Sequence, residues 1–139
     1  MGGVRWTCPE CGRQFGKVGQ GHECAPALSL EEYFSTGPPH ERPIFDAVWD
    51  HLRTLDDVYV EPVSVGIFFK RGPIFADLRP MQRWSALGFT LRRRLDHPKL
   101  SRKVQSQGGR HWHVVNLHGP DAVDEQVRDW LTEAYLGAE

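Results

Sequence analysis

Four side chains near the start of the chain have the types and spacing of a metal site. Cys8 and Cys11 bracket Pro9-Glu10, and His22 and Cys24 follow after a ten-residue gap. A Cys-x2-Cys pair lets two thiolates reach one ion from a tight turn, and Gly12 lets the backbone close beneath the sulfurs. The resulting Cys3His set suits tetrahedral Zn2+, and four protein ligands leave no open position for chemistry, so the expected role is structural. Trp6, Phe15 and Val18 are the only apolar bulk of this segment. A bound metal would therefore supply most of its folding free energy. The alternative is an unstructured arm with unrelated cysteines.

Cys8-Pro-Glu-Cys-Gly-Arg-Gln-Phe15 also resembles the first half of a C2H2 finger. The second half departs from it. Ligands two apart cannot share a helix face, so no recognition helix is expected to enter a groove of DNA. The segment reads as a knuckle.

A second constellation lies between Val63 and Leu117. This stretch holds 11 of the 17 Lys and Arg residues against Asp77 and Asp96 alone, a formal +9 on a chain of net −1. Acids gather elsewhere: eight against two arginines over 30–61, and six against one over 121–139. The expected helices are acidic and the expected sheet is basic. Strand alternation places Phe68, Lys70, Phe75, Arg79, Trp84, Arg110 and Trp112 on one outward face. Aromatics interleaved with cations supply base stacking and phosphate neutralisation, the chemistry of a nucleic-acid surface. A protein partner, a second copy of the chain, or the chain's own knuckle or first short helix could cover the same face instead. It could also form a cup for a small ligand. The Arg92-Arg93-Arg94 run reads first as a solvated loop.

Signals for catalysis are weak. No nucleophile elbow, Walker A loop, His-Glu-x-x-His or dinucleotide fingerprint is present. Asp77, flanked by Lys70 and Arg79, is the one acid placed for such work, and a salt-bridged structural role is the simpler reading. His111 and His113 share a strand face and could ligate a metal, although hydrogen-bonded core-edge histidines are commoner. The reading leans away from an enzyme.

These residues need elements to position them. Ser29-Leu-Glu-Glu32 is a capping box opening a short helix with Leu30, Tyr33 and Phe34 on its apolar side. Ile44, Phe45, Val48, Trp49, Leu52 and Leu55 repeat at helical spacing and predict a helix from about His40 to Leu55, with Pro43 in its first turn. Val58 to Val60 reads as a short strand ended by Pro62. Strands follow over Val63–Lys70, Ile74–Arg79, Trp84–Leu91, Val104–Gln107 and Arg110–Leu117, the last two joined through Gly108-Gly109. In the first of these, Val63, Val65, Ile67 and Phe69 point inward. In the second, Ile74, Ala76 and Leu78 are inner and Phe75 is outer. A final helix starts at Gly119-Pro120-Asp121 with Asp121 as N-cap, and buries Val123, Val127, Trp130, Leu131, Ala134 and Tyr135. The expected architecture is α+β: an antiparallel sheet of about five strands with two main helices on one face, preceded by a zinc knuckle. The division falls at 1–26 and 27–139.

Composition bounds the setting. At 139 residues, 40% apolar and 25% charged, the chain is one domain plus a small appendage. Its most apolar run, Val63–Phe69, is far short of the roughly 20 residues a membrane span needs. The first residues have neither the apolar core of a secretory signal nor the pattern for myristoylation. Three cysteines cannot form an even disulfide framework, which points to a reduced, cytoplasmic protein using them for metal.

From Leu28 to Tyr135 the order of segments resembles the family DUF 5655, a bacterial domain of unknown function. The likeness rests on Leu30-Glu-Glu-Tyr-Phe34, Ile44-Phe45, Gly66-Ile-Phe-Phe-Lys70, Phe75-Ala76, Leu95-Asp-His-Pro98, His113-Val-Val-Asn-Leu117 and Trp130-Leu-Thr-Glu-Ala-Tyr135. These are packing patterns, and the knuckle lies outside them. The resemblance implies a compact α+β domain similar to the YdhG and YjbR-like superfamily, with helices on one face of an antiparallel sheet. It brings no activity and no catalytic residues.

Overall fold

The computed structural model describes residues 6–15, 18–19, 21 and 28–138. A small hairpin, β1 (Trp6–Thr7) with β2 (Gln14–Phe15), precedes α1 (Leu30–Phe34) and α2 (Glu41–Leu52). A six-stranded antiparallel sheet follows: β3 (Tyr59–Val63), β4 (Gly66–Lys70), β5 (Ile74–Pro80), β6 (Ser85–Leu91), β7 (Gln105–Gln107) and β8 (Arg110–Leu117). Their spatial order is β3-β4-β5-β6-β8-β7. A 3-10 turn over Pro120–Ala122 leads into α3 (Glu125–Leu136). The α+β class holds, with six strands in the main sheet rather than about five. Among the described residues no helix is long and apolar enough to cross a membrane.

The sixth strand is β3, the expected Val58–Val60 strand carried on to Val63, so the expected Val63–Lys70 strand begins only at Gly66. Val63 pairs Gly66 across a turn at Ser64-Val65, so Val65 is 65% exposed rather than inward. A Cβ on Gly66 would lie 2.7 Å from the Leu78 carbonyl oxygen, which keeps that position for glycine. Pro62 does not end β3 but sits inside it. An edge strand has no partner for the missing N–H, so proline is tolerated there.

The helices shield one face of this sheet. Ile44, Phe45, Val48 and Leu52 from α2, and Val127, Trp130, Leu131 and Ala134 from α3, close over Ile67, Phe69, Leu78, Leu87, Phe89 and Leu117. Phe45 stacks on Phe69 at 6.2 Å and Trp130 on Phe89 at 5.6 Å. The Ser29–Glu32 capping box forms as expected, and Phe34 of α1 packs on Phe45, so this short helix lies on the core side. Helix α2 stops earlier than Leu55, where the Thr54 hydroxyl donates to the His51 carbonyl at 2.6 Å. Helix α3 begins later than expected. Asp124, not Asp121, is its N-cap and accepts the Val127 N–H at 3.0 Å, because Val123 turns into the core first.

Candidate functional site

Opposite the helices, cross-strand pairing lays out the outer face row by row. One row runs Glu61, Phe68, Asp77, Gly88, Val114 across β3, β4, β5, β6 and β8. A neighbouring row runs Arg79, Ala86, Asn116, and the row on the other side holds Thr90, Trp112 and Gln105. The two ends of this face differ.

At the β3–β4 end the face is covered by the N-terminal hairpin. Glu61 is fully buried, and Lys70 is 2% exposed. The Lys70 ammonium lies 2.9 Å from Glu61 Oε1 and donates to the Gln14 carbonyl at 2.7 Å. It sits 4.5 Å from the centre of the Phe15 ring. Arg13 reaches Glu61 from the other side at 2.9 Å, and Trp6 packs on Phe15. Burial pulls the Lys70 pKa down while Glu61 pulls it back up. Lys70 is thus on the expected face but not available to a ligand.

Phe75 is not on this face at all. A β-bulge between β4 and β5 pairs Phe69 with Ala76 and Lys70 with Ile74, leaving Phe75 as the additional residue. The bulge reverses the alternation: Phe75 is fully buried against Tyr135 of α3, and Ile74 turns outward.

At the β6–β8 end the face opens into a groove of ≈ 530 Å³. Phe68, Ile74, Trp112 and Val114 supply apolar wall, and Ala86 and Gly88 leave the floor low. Arg79, Met81, Lys103, Gln105, Asn116 and Ser101 complete it. Phe68 and Trp112 are half-buried, while Arg79 and Lys103 are exposed. Asp77 stands in the floor with Oδ2 3.4 Å from Arg79 Nη2. Its other oxygen occupies the space over Gly88, where any Cβ would collide with it. Burial pushes the Asp77 pKa up, opposed by Arg79 and by hydrogen bonding to the Gly88 backbone.

Of the face expected from sequence, the structure therefore brings together Phe68, Arg79 and Trp112. Trp84 lies just before β6 and packs on the His118 ring at 5.6 Å, outside the groove. Arg110 is half-buried at the start of β8, also outside it. Sequence alternation missed Lys103 and Ser101 because they come from the loop after β6. Ser101 N–H donates to the Val114 carbonyl at 2.8 Å, which draws the loop over β8. Two other cations of that basic loop are answered by α3 and its cap: Arg93 forms a two-pronged pair with Glu133, and Lys99 pairs with Asp124.

The histidine pair is divided. His113 is fully buried, stacks on Phe89, and accepts the Leu95 N–H on Nε2 at 2.9 Å, so that nitrogen is not open to a metal. Burial lowers its pKa. His111 pairs through Nδ1 with the Ser106 hydroxyl at 2.7 Å.

In the hairpin, Gly12 has φ +75°, its N–H donates to the Cys8 carbonyl at 2.8 Å, and Cys8 N–H donates to the Arg13 carbonyl at 2.9 Å. That is the tight turn a Cys-x2-Cys pair requires. Cys8 is buried and Cys11 half-exposed. His22 and Cys24 lie outside the described residues, and among the described residues no group of three or more His, Cys, Asp or Glu could hold a metal.

Residues 30–137 match the family described as Domain of unknown function (DUF5655). No curated protein and no solved structure matches the chain.

Proposed function

The chain belongs to the DUF5655 family, which assigns it no activity, and from that premise we propose a zinc-containing binding module that takes single-stranded nucleic acid in its open groove. One observation carries the reading. Phe68 and Trp112 remain partly exposed beside Arg79 and Lys103, so stacking surface and phosphate-neutralising charge meet in one concavity. Three other cations of the basic stretch, Lys70, Arg93 and Lys99, are engaged with Glu61, Glu133 and Asp124.

Zn2+ is the expected structural partner of Cys8, Cys11, His22 and Cys24, and its chemistry would be to lock the hairpin that covers Glu61 and Lys70. Purified protein should hold about one zinc per chain, and Cys11→Ser should abolish it. The same reading keeps the protein in a reducing, cytoplasmic setting. Both long helices on one face also fit a likeness to the YdhG and YjbR-like superfamily.

A salt titration with a labelled oligonucleotide tests the binding. Affinity should fall with salt at a slope near −0.7 per phosphate neutralised. Absence of binding at micromolar protein near 100 mM salt would end the reading. A small-ligand cup is the second reading, favoured by the groove's ≈ 530 Å³, which falls within the roughly 300–1,000 Å³ of such pockets.

A further inference from the structure

A carboxylate on the floor of a groove meant for a polyanion needs a reason. Asp77 is the one acid among the residues lining this groove. It repels phosphate, and burial makes it harder to ionise than an exposed aspartate. Its ion pair with Arg79 is long at 3.4 Å and mostly solvent-facing on the arginine side, and with hydrogen bonding to the Gly88 backbone it offsets that cost only in part. The position opposite is glycine, and any side chain there would collide with the carboxylate. The glycine thus gives the Asp77 carboxylate room to lie on the floor, with Phe68 flanking the acid on the neighbouring strand and Trp112 lining the same groove.

We infer that Asp77 reads a guanine base carried by the single strand, an inference that rests on the nucleic-acid reading of the same groove. An ionised carboxylate only accepts hydrogen bonds, and its two oxygens hold about four lone-pair sites, so the contacts with Arg79 and the Gly88 backbone leave capacity for more. Guanine presents two adjacent donors on its Watson–Crick edge, the ring imino N–H and the exocyclic amino group, in the spacing a carboxylate takes two-pronged. Adenine and cytosine present an amino group beside a bare ring nitrogen, and uracil or thymine an imino group between two carbonyls. Each of those sets an acceptor against Asp77. A cationic ligand with the same paired donors, such as a guanidinium, would meet Arg79 and Lys103 and be repelled. The cations fit the phosphates of a strand, the acid fits one edge of its base, and the aromatics fit its face.

The test compares fluorescent oligothymidine with the same strand carrying one central guanine, each at several salt concentrations. The guanine strand should bind about five- to a hundredfold tighter, the range for a good two-pronged base contact. Replacing guanine with inosine removes the amino donor without touching the protein, and should erase most of that ratio. Asp77→Asn, which swaps one acceptor oxygen for a donor, should collapse it too. Equal affinity for both strands, or a ratio that survives both inosine and Asp77→Asn, overturns the inference while the nucleic-acid reading stands. Binding of neither strand overturns that reading and this one together. Free guanosine monophosphate competing as well as the strand would overturn the strand as the carrier.

Discussion

At the β3–β4 end of the outer face, Lys70, Arg13, Glu61 and Phe15 close on one another; at the β6–β8 end, Arg79, Lys103, Asp77, Phe68 and Trp112 face a groove. The side-chain types are the same. What differs is a covering segment: the hairpin of residues 6–15 completes the first cluster and stops short of the second. Composition therefore marks where cation, carboxylate and ring can meet, and tertiary docking decides whether they meet each other or a ligand. A satisfied cluster should carry stability, and an open one should carry affinity.

The sharpest way to break this contrast is to remove a charge from the closed end. Glu61→Ala takes the buried carboxylate away from the Lys70 ammonium, and loss of one partner from a buried pair costs about 3–5 kcal/mol. Urea denaturation should show it, on the scale of Phe89→Ala in the core, where about 3–5 kcal/mol is expected. A negligible effect would mean that the hairpin does not hold to the sheet in solution. Next comes Trp112→Ala, which should weaken oligonucleotide binding by about 1–3 kcal/mol. Its stability cost should stay below about 1.5 kcal/mol, the lower limit for a fully buried large side chain. If unfolding shows Trp112→Ala as damaging as Phe89→Ala, the outer wall is core.

Asp77→Asn should move stability in the opposite direction from Glu61→Ala. Burial raises the Asp77 pKa above its ordinary 3.8, so the folded state favours the protonated acid. That contribution is full below the ordinary value and is lost as pH rises through the raised one. The variant should be the more stable protein at neutral pH, with the gap closing on acidification. Denaturation curves across pH that show it less stable at neutral pH would make Asp77 a structural anchor like Glu61. The smallest effect is expected from Lys103→Gln: a salt slope shallower by about 0.7, with stability unchanged.

Alternation made Phe68, Asp77, Arg79 and Trp112 legible, because nothing interrupts the ladder where they pair. Phe75 was misread because the bulge adds one residue to β5, and a bulge leaves no trace in apolar periodicity. Lys70 was placed on the right face, yet its partners Gln14 and Phe15 come from 56 and 55 positions away and no local pattern announces them. Glu61 escaped notice for the same reason. The Arg92–Lys103 run was visible as charge, but Glu133 and Asp124 answer Arg93 and Lys99 within it only once α3 has folded back. Both helices were plain from their spacing, and their ends were not, since caps such as Asp124 compete with equally good neighbours.

Pro62 has a consequence for how copies of this chain can associate. A sheet grows between molecules by presenting a run of unsatisfied amides along its outermost strand, and β3 is outermost on one side. Proline removes one amide from that run, and the Pro62 carbonyl already accepts the Leu28 N–H at 2.9 Å. On the other side β7 is only three residues long. Neither margin offers the long template that edge-to-edge polymerisation requires. Any pairing of two copies of this domain would therefore have to rest on side-chain surfaces and not on a shared sheet.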